Sequence, residues 1–305
     1  MTKFDVVGFG ALNMDKLFRV NKIATADEES YVTHITETCG GSAANTMVGL
    51  ARLGDKVGFL GKVAVDQEGK KLIKDFQKEG VDTQGIKITQ QGRSGTVMGF
   101  VDDQGERALY VNGGANETLD LKDLDLQYAS TTSFIHLTSF VSETSFQTQK
   151  QYVQKLPPEV KLSLDPGSLY TRKGEALNSL IPQTYVLMPN QKELCLLTGR
   201  TEYKEGAKLL LEKGVKVVAV KLGEEGCYVS NGEENLLVPG FEVDVIDTTG
   251  AGDAFCAGFL HGLLQKKDLY QCGRMANFVA SRCTTEMGGR KGLPYLKDLP
   301  NKKLS

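Results

Sequence analysis

The stretch Val245-Ile246-Asp247-Thr248-Thr249-Gly250-Ala251-Gly252-Asp253-Ala254-Phe255-Cys256-Ala257-Gly258-Phe259-Leu260 decides how the chain is read. Its opening reads as a strand, its glycines as a turn and its end as a helix. Phe255, Cys256, Phe259, Leu260, Leu263 and Leu264 recur at helical spacing, so the helix is expected to begin near Gly252 and bury that face. First-turn amides have no partner inside a helix and carry the positive end of its dipole. Here they emerge from a loop, Gly250, Ala251 and Gly252, that leaves them open to approach. The result suits an anion, phosphate above all. Asp253 lies at the mouth, where a carboxylate can take the proton of a hydroxyl as its oxygen attacks phosphorus. The plainer reading is a helix capped by Thr249 or Asp253 after a glycine turn.

Taken whole, Asp-Thr-Thr-Gly-Ala-Gly-Asp followed by Ala257 and Gly258 resembles the second signature of the ribokinase family, the PfkB-type carbohydrate kinases. A second string points the same way. Cys39-Gly40-Gly41-Ser42-Ala43-Ala44-Asn45 opens a helix that Gly54 is expected to stop, and it resembles the family's first signature. Close-packed glycine and alanine there also have a purely steric reading. The resemblance implies that Gly40, Gly41 and Asn45 line a sugar site, and amide groups of this kind are suited to vicinal hydroxyls.

Composition narrows the classes. The chain has 305 residues, enough for one large core with a small appendage, and 40% are hydrophobic. Lys and Arg number 36 against 38 Asp and Glu, with no long run of one sign, so neither nucleic acid nor an anionic membrane is an expected partner. No apolar stretch is long enough to span a bilayer, and Met1 to Asp5 leads into a strand rather than a leader, which reads as cytoplasmic. Six cysteines are scattered without a C-x-x-C pair and read as reduced and structural. His136, inside the apolar run Phe134 to Leu137, reads as a core or strand-end residue; His34 and His261 are isolated.

In chain order, Phe4 to Gly8 is a short strand, and Gly8-x-Gly10 invites a dinucleotide reading. That reading fails because Asn13 replaces the third glycine and no amphipathic helix follows at once. Tyr31 to Thr38 has the alternation of an exposed strand. Strand Val57 to Gly61 and a helix from Glu68 to Glu79 follow, and then a β-hairpin, Thr96 to Val101 with Arg107 to Val111. These strands are expected to build a separate small sheet, from about 12–40 and 92–114, whose bare face needs a lid role, a dimer clasp or both. A polar loop at Asn112 to Asn116 leads to a helix at Leu121.

From Ser133 onward, strands near 134–137, 161–164, 185–187 and 215–220 alternate with helices near 143–155, 174–180 and 202–213. This predicts an α/β fold: an open, mostly parallel sheet covered by helices on both faces, with ligands beyond the carboxyl ends of its strands. The family resemblance implies the same, a ribokinase-like sheet with a small β lid.

Asn190-Gln191-Lys192-Glu193 reads as a capping box and also matches the family's N-x-x-E motif, which implies that Asn190 faces nucleotide and Glu193 the magnesium region. Lys221 to Cys227 reads as a hairpin turn; the resemblance implies that Lys221, Gly223 and Gly226 border nucleotide phosphates. By the same resemblance Asn277 flanks adenine, and Asp247 and Thr249, with the basic loop Gly288 to Pro294, belong to a monovalent cation site, K+. Asn13, Asp15, Asn112 and Asn116 are implied as substrate binders; a carboxylate accepts two hydroxyls at once.

Together these imply an ATP- and Mg2+-dependent kinase of a sugar or nucleoside, a homodimer through the lid, with Asp253 as base. The first signature lacks the lysine common in the family's phosphosugar and many ribose kinases, which weakens the case for an already phosphorylated substrate; a ribose-containing acceptor, ribose or a nucleoside, taking phosphate on its primary hydroxyl is favoured. Arg93 and Arg107 keep a phosphosugar open, and a non-catalytic sugar sensor of the same fold is the other alternative.

Overall fold

The computed structural model describes residues 3–172 and 174–300; the side chains of Arg107 and of residues 174–176 lie outside the described set. In chain order the strands are β1 (Val6–Phe9), β2 (Asn13–Val20), β3 (Val32–Gly40), β4 (Val57–Ala64), β5 (Ile86–Thr89), β6 (Gly95–Val101) and β7 (Arg107–Asn112). They continue with β8 (Phe134–Leu137), β9 (Lys161–Leu164), β10 (Thr184–Leu187), β11 (Val217–Lys221), β12 (Cys227–Ser230) and β13 (Asn235–Val238). The helices are α1 (Ser42–Arg52), α2 (Gln67–Lys78), α3 (Glu143–Val153), α4 (Gly167–Thr171), α5 (Gln191–Thr198), α6 (Tyr203–Glu212), α7 (Ala251–Leu264) and α8 (Leu269–Cys283).

Nine strands form one sheet in the order β13-β12-β11-β10-β9-β8-β1-β4-β5. It is parallel from β5 to β11 and ends in an antiparallel β11-β12-β13 edge. Its central strands are apolar throughout because both faces are covered. Val6, Phe59, Phe134, Val186 and Ala219 point into one core with α1, α2, α7 and α8, where Met47, Phe76, Phe259 and Val279 meet them. Val7, Phe9, Ile135, Leu164, Leu187 and Val218 point into the other, closed by Phe146 and Tyr152 of α3, Leu194 of α5 and Leu210 of α6. This is the predicted helix-covered sheet. A separate four-stranded sheet, β3-β2-β6-β7, stands apart, with β3 exposed over most of its length.

Sequence periodicity misplaced three elements. Val245 and Ile246 are exposed loop rather than strand: they pair with no neighbouring strand, and the amides of Ile246 and Asp247 donate instead to Thr284 O at 2.8 and 3.2 Å. The helix after them starts at Ala251, one residue early. The expected helices at Leu121 and Gly174 are 3-10 turns, Leu121–Asp123 and Gly174–Ser179, too short to need an amphipathic repeat.

Where α7 crosses its neighbours the residues are small by necessity. A Cβ on Gly258 would lie 2.8 Å from both the Cα of Ala276 and the carbonyl oxygen of Met275 in α8. Gly258→Val is therefore expected to cost about 1–3 kcal/mol by forcing the pair apart. A thermal melt is the check: a midpoint equal to that of the parent chain would mean the helices do not pack this closely.

Candidate active site

The sheet order places the loops after β1, β8, β9, β10 and β11 along one carboxyl edge. Thr138 follows β8, Asp165 follows β9, Asn190 follows β10, and Lys221 closes β11; Asn190 and Lys221 are bridged across the edge. Two helix N-termini open onto the same region, α1 after Gly41 and α7 after Gly250. They are tied together where the Thr46 hydroxyl donates to Asp253 O at 3.2 Å.

Gly250 is the N-cap of α7 in the left-handed region (φ 75°), and a Cβ there would run into Gly289 of the C-terminal loop. Only glycine meets both conditions. The plain capping role for Thr249 or Asp253 is absent, because no side chain caps this end. Ala251 N closes the turn onto Thr248 O at 3.2 Å and Ala254 N bonds Gly250 O at 2.9 Å, which leaves the amides of Gly252 and Asp253 between them to the site. Lys221 brings an ammonium to the same place: its Nζ would lie 3.4 Å from a Cβ on Gly252, and it donates to Asp165 Oδ2 at 2.9 Å.

Asp253, in the first turn of α7, accepts a 2.8 Å bond from Asn45 Nδ2. Burial pushes its carboxyl from 3.8 up to about 7; the Asn45 bond, Lys221 and Arg290 oppose that rise, and the Asp165 carboxylate adds to it. Asn45 in turn accepts from Arg290 Nε at 2.7 Å, and the Arg290 Nη1 pairs with Asp75 of α2. The remaining nitrogen, Nη2, is buried and has no partner among the described residues.

Asp15, on β2, packs its carboxylate where a Cβ on Gly40 would sit. Burial raises it to about 6, and Arg290 works against the rise. Asn13 Oδ1 accepts from Asn116 Nδ2 at 3.0 Å. Asn116, expected as a substrate binder, has both amide hydrogens committed, the second to Leu12 O at 2.9 Å, while its oxygen takes Leu12 N at 3.0 Å. It holds Asn13 in place and has no donor left to offer. Asn112 is exposed and closes its own turn onto Gly114 N at 3.1 Å.

Asn190 and Glu193 form the expected capping box, with reciprocal bonds of 2.8 and 2.9 Å. Burial raises the Glu193 carboxyl, with Asp165 adding and Lys221 opposing. Burial alone would lower Lys221, but Asp165, Cys256 and Glu193 outweigh it and hold the ammonium above its ordinary range. Gly223 and Gly226 shape the β11-β12 turn, both at positive φ. Asn277, expected beside adenine, donates both amide hydrogens to Val238 O and Pro239 O, at 3.0 Å each. It fastens α8 to the end of β13 and has no donor for a base.

Asp247 takes Thr249 N and Oγ1 on one oxygen, at 2.9 and 2.7 Å, and Gly288 N on the other at 2.8 Å. These bonds tie the two loops implied for a cation site. Among the described residues, no cluster of three or more His, Cys, Asp or Glu stands ready to hold a metal by itself. All six cysteines are free thiols, and His136 is buried in β8, lowered by burial to about 4. No helix among the described residues is long and apolar enough to cross a membrane.

Sequence reading passed over Asp165 and gave Arg290 no role of its own. Asp165-Pro166 directly after an apolar strand was the available signal, since carboxyl ends of parallel strands carry ligand groups. Nothing local in the sequence marks Arg290 as the partner of Asn45, 245 residues away.

An anion-receptive helix start, a carboxylate within it and a lysine beside it make a site suited to phosphoryl transfer. The description "pfkB family carbohydrate kinase" matches residues 3–296. An uncharacterized sugar kinase of Archaeoglobus fulgidus is 41% identical over 255 residues, 82% of this chain and 100% of the relative. The ATP-dependent ribose-1-phosphate kinase of Halopiger xanaduensis is 33% identical over 290 residues, 94% of this chain and 93% of its own. The crystal structure of Thermotoga maritima ribokinase shares the fold with a TM-score of 0.88 at 24% identity, over 96% of this chain and 97% of that one. The chain belongs to the pfkB family of carbohydrate kinases. It is a sugar or nucleoside kinase, a phosphotransferase with an alcohol acceptor.

The raised carboxyl of Asp253 has two expected consequences. A carboxylate acting as base at this position must be ionised, so on that role kcat/KM falls as pH drops through about 7, read from a pH-rate profile. The folded chain also binds a proton that the unfolded chain releases between pH 3.8 and about 7, so this group's contribution to stability falls as pH rises through that window. Asp253→Asn should accordingly melt higher than the parent at pH 8, by on the order of 1–2 kcal/mol. A variant that melts lower at pH 8 would show that the carboxylate is not held against burial.

Proposed function

We propose that this chain transfers the γ-phosphoryl group of ATP to a primary hydroxyl of a ribose-containing acceptor. The observation that carries the reading is the Asp253 carboxylate, held in the first turn of α7 by Asn45 while Lys221 Nζ lies against Gly252. Asp15, its buried carboxylate packed against Gly40, binds acceptor hydroxyls with Asn13 and the Gly40 and Gly41 amides. Asp253 takes the proton of the attacking hydroxyl. The α7 amides and Lys221 then meet the charge that develops on the transferred group.

The buried, raised Glu193 carboxyl beside Asp165 fits a magnesium ion carried mainly by phosphate and water, reached from Glu193 through water. When bound, magnesium neutralises phosphate charge. The four-stranded sheet serves as lid and as dimer clasp, because Ile35 on β3 and Leu109 and Val111 on β7 are exposed. Light scattering should report a dimer, and Leu109→Asp should weaken it; a monomer at micromolar concentration would remove the clasp.

A specific observation favours a second acceptor class, a sugar already phosphorylated. Arg290 Nη2 is buried with no partner among the described residues, and the Arg290 charge acts on Asp15. The Halopiger relative is named for ribose 1-phosphate. Arg93 and Arg107 are then not needed for this role, and the Arg107 side chain lies outside the described residues.

The test is ADP release with Mg2+ and ATP across ribose, nucleosides, hexoses and ribose 1-phosphate. Acceptor-dependent turnover is expected, reduced ~10²–10⁴-fold in Asp253→Asn. Acceptor binding without turnover would instead establish a sensor.

A further inference from the structure

We infer that Arg290 is a positioning residue for the base: its guanidinium fixes which way the Asn45 amide faces, and so where the Asp253 carboxylate points. The inference rests on the reading of Asp253 as the base, and it begins from donor chemistry. A guanidinium has only hydrogens to give. Arg290 Nε, 2.7 Å from the Asn45 side chain, must therefore meet its oxygen, which leaves Nδ2 turned to Asp253 at 2.8 Å. The opposite rotamer would set a carbonyl oxygen against a carboxylate and a nitrogen against a cation. The amide is therefore held one way round by charge at both ends.

Arg290 is itself anchored. Nη1 pairs with Asp75 of α2, and its side chain is 12% exposed. Its backbone carbonyl accepts from Arg52 Nη1 at 2.7 Å, and Arg52 forks onto Glu79 with two 2.8 Å bonds. An arginine pinned at head and backbone, with Asn45 in the first turn of α1, is a rigid support for a carboxylate that otherwise has Thr46 only at its backbone.

Charge follows the same line. The ionisable groups facing Asp253 are Asp165 beyond β9, Lys221 on β11 and Arg290 on the C-terminal loop, with Cys256 on its own helix and Cys283 on α8. Asp165 disfavours the ionised form; Lys221 and Arg290 favour it. Lys221 is already paired with Asp165, whereas Arg290 is hydrogen-bonded to the very amide that Asp253 uses.

The experiment is the carboxyl-carbon titration of Asp253 by NMR in the free protein, its signal assigned by loss in Asp253→Asn, alongside steady-state kinetics with the best acceptor. Arg290→Met should move the Asp253 midpoint upward. It should also lower kcat ~10–100-fold through lost orientation. Arg290→Lys, which keeps a cation but has no fork, should lose kcat with a smaller titration shift. A folded Arg290→Met with parental midpoint and kcat overturns the inference. If that variant does not fold, Asp75→Asn cuts the outer anchor, and an unchanged kcat there overturns it equally. Absence of turnover in the parent chain with every acceptor would overturn the kinase reading instead, and the titration would still decide the role of Arg290.

Discussion

A carboxylate kept out of water at the start of a helix is the constraint to which the rest of the site answers. Burial alone would leave Asp253 protonated and inert as a base. Its surroundings hold it near neutrality: an amide hydrogen from Asn45, the Lys221 ammonium beside Gly252, and the Arg290 guanidinium one residue further out. Each comes from a different part of the chain. The sheet order makes them neighbours by ending β9, β10 and β11 at one edge and by opening α1 and α7 onto it.

Close packing is what brings those helices near enough. Gly49 of α1 faces Ala257 of α7, where a Cβ on the glycine would stand 2.8 Å from the alanine methyl. The small residues that follow Asp253 therefore do two jobs. They let α7 lie against α1 and α8, and they set the depth at which its first turn meets the edge of the sheet. An axis displaced by one methylene would move the carboxylate away from Asn45, whose bond to it is 2.8 Å long.

Much of this was legible in the sequence. Residues 250–264 announced a glycine turn and a buried helix, and the β-hairpin at 96–111 announced a second sheet, because period and turn chemistry are local. What was not legible depends on partners distant in the chain. The amide hydrogens of Asn116 and Asn277 go to Leu12, Asn13, Val238 and Pro239, partners that no local reading of the sequence names. Val245 and Ile246 have strand composition, but only the fold reveals that no neighbouring strand is there to pair with them. The Arg290-Asn45-Asp253 line joins three segments that no short window contains.

Helix α2 has a further consequence. Glu68 bonds Lys16 of β2 at 2.8 Å and Lys71 bonds Glu37 of β3 at 2.7 Å, while Asp75, one turn on, pairs with Arg290. Spacings of three and four residues put all three on one side of the helix. A single stiff rod thus touches the small sheet at one end and, at the other, the arginine bonded to Asn45. The outer sheet and the guanidinium bonded to Asn45 therefore lean on one helix.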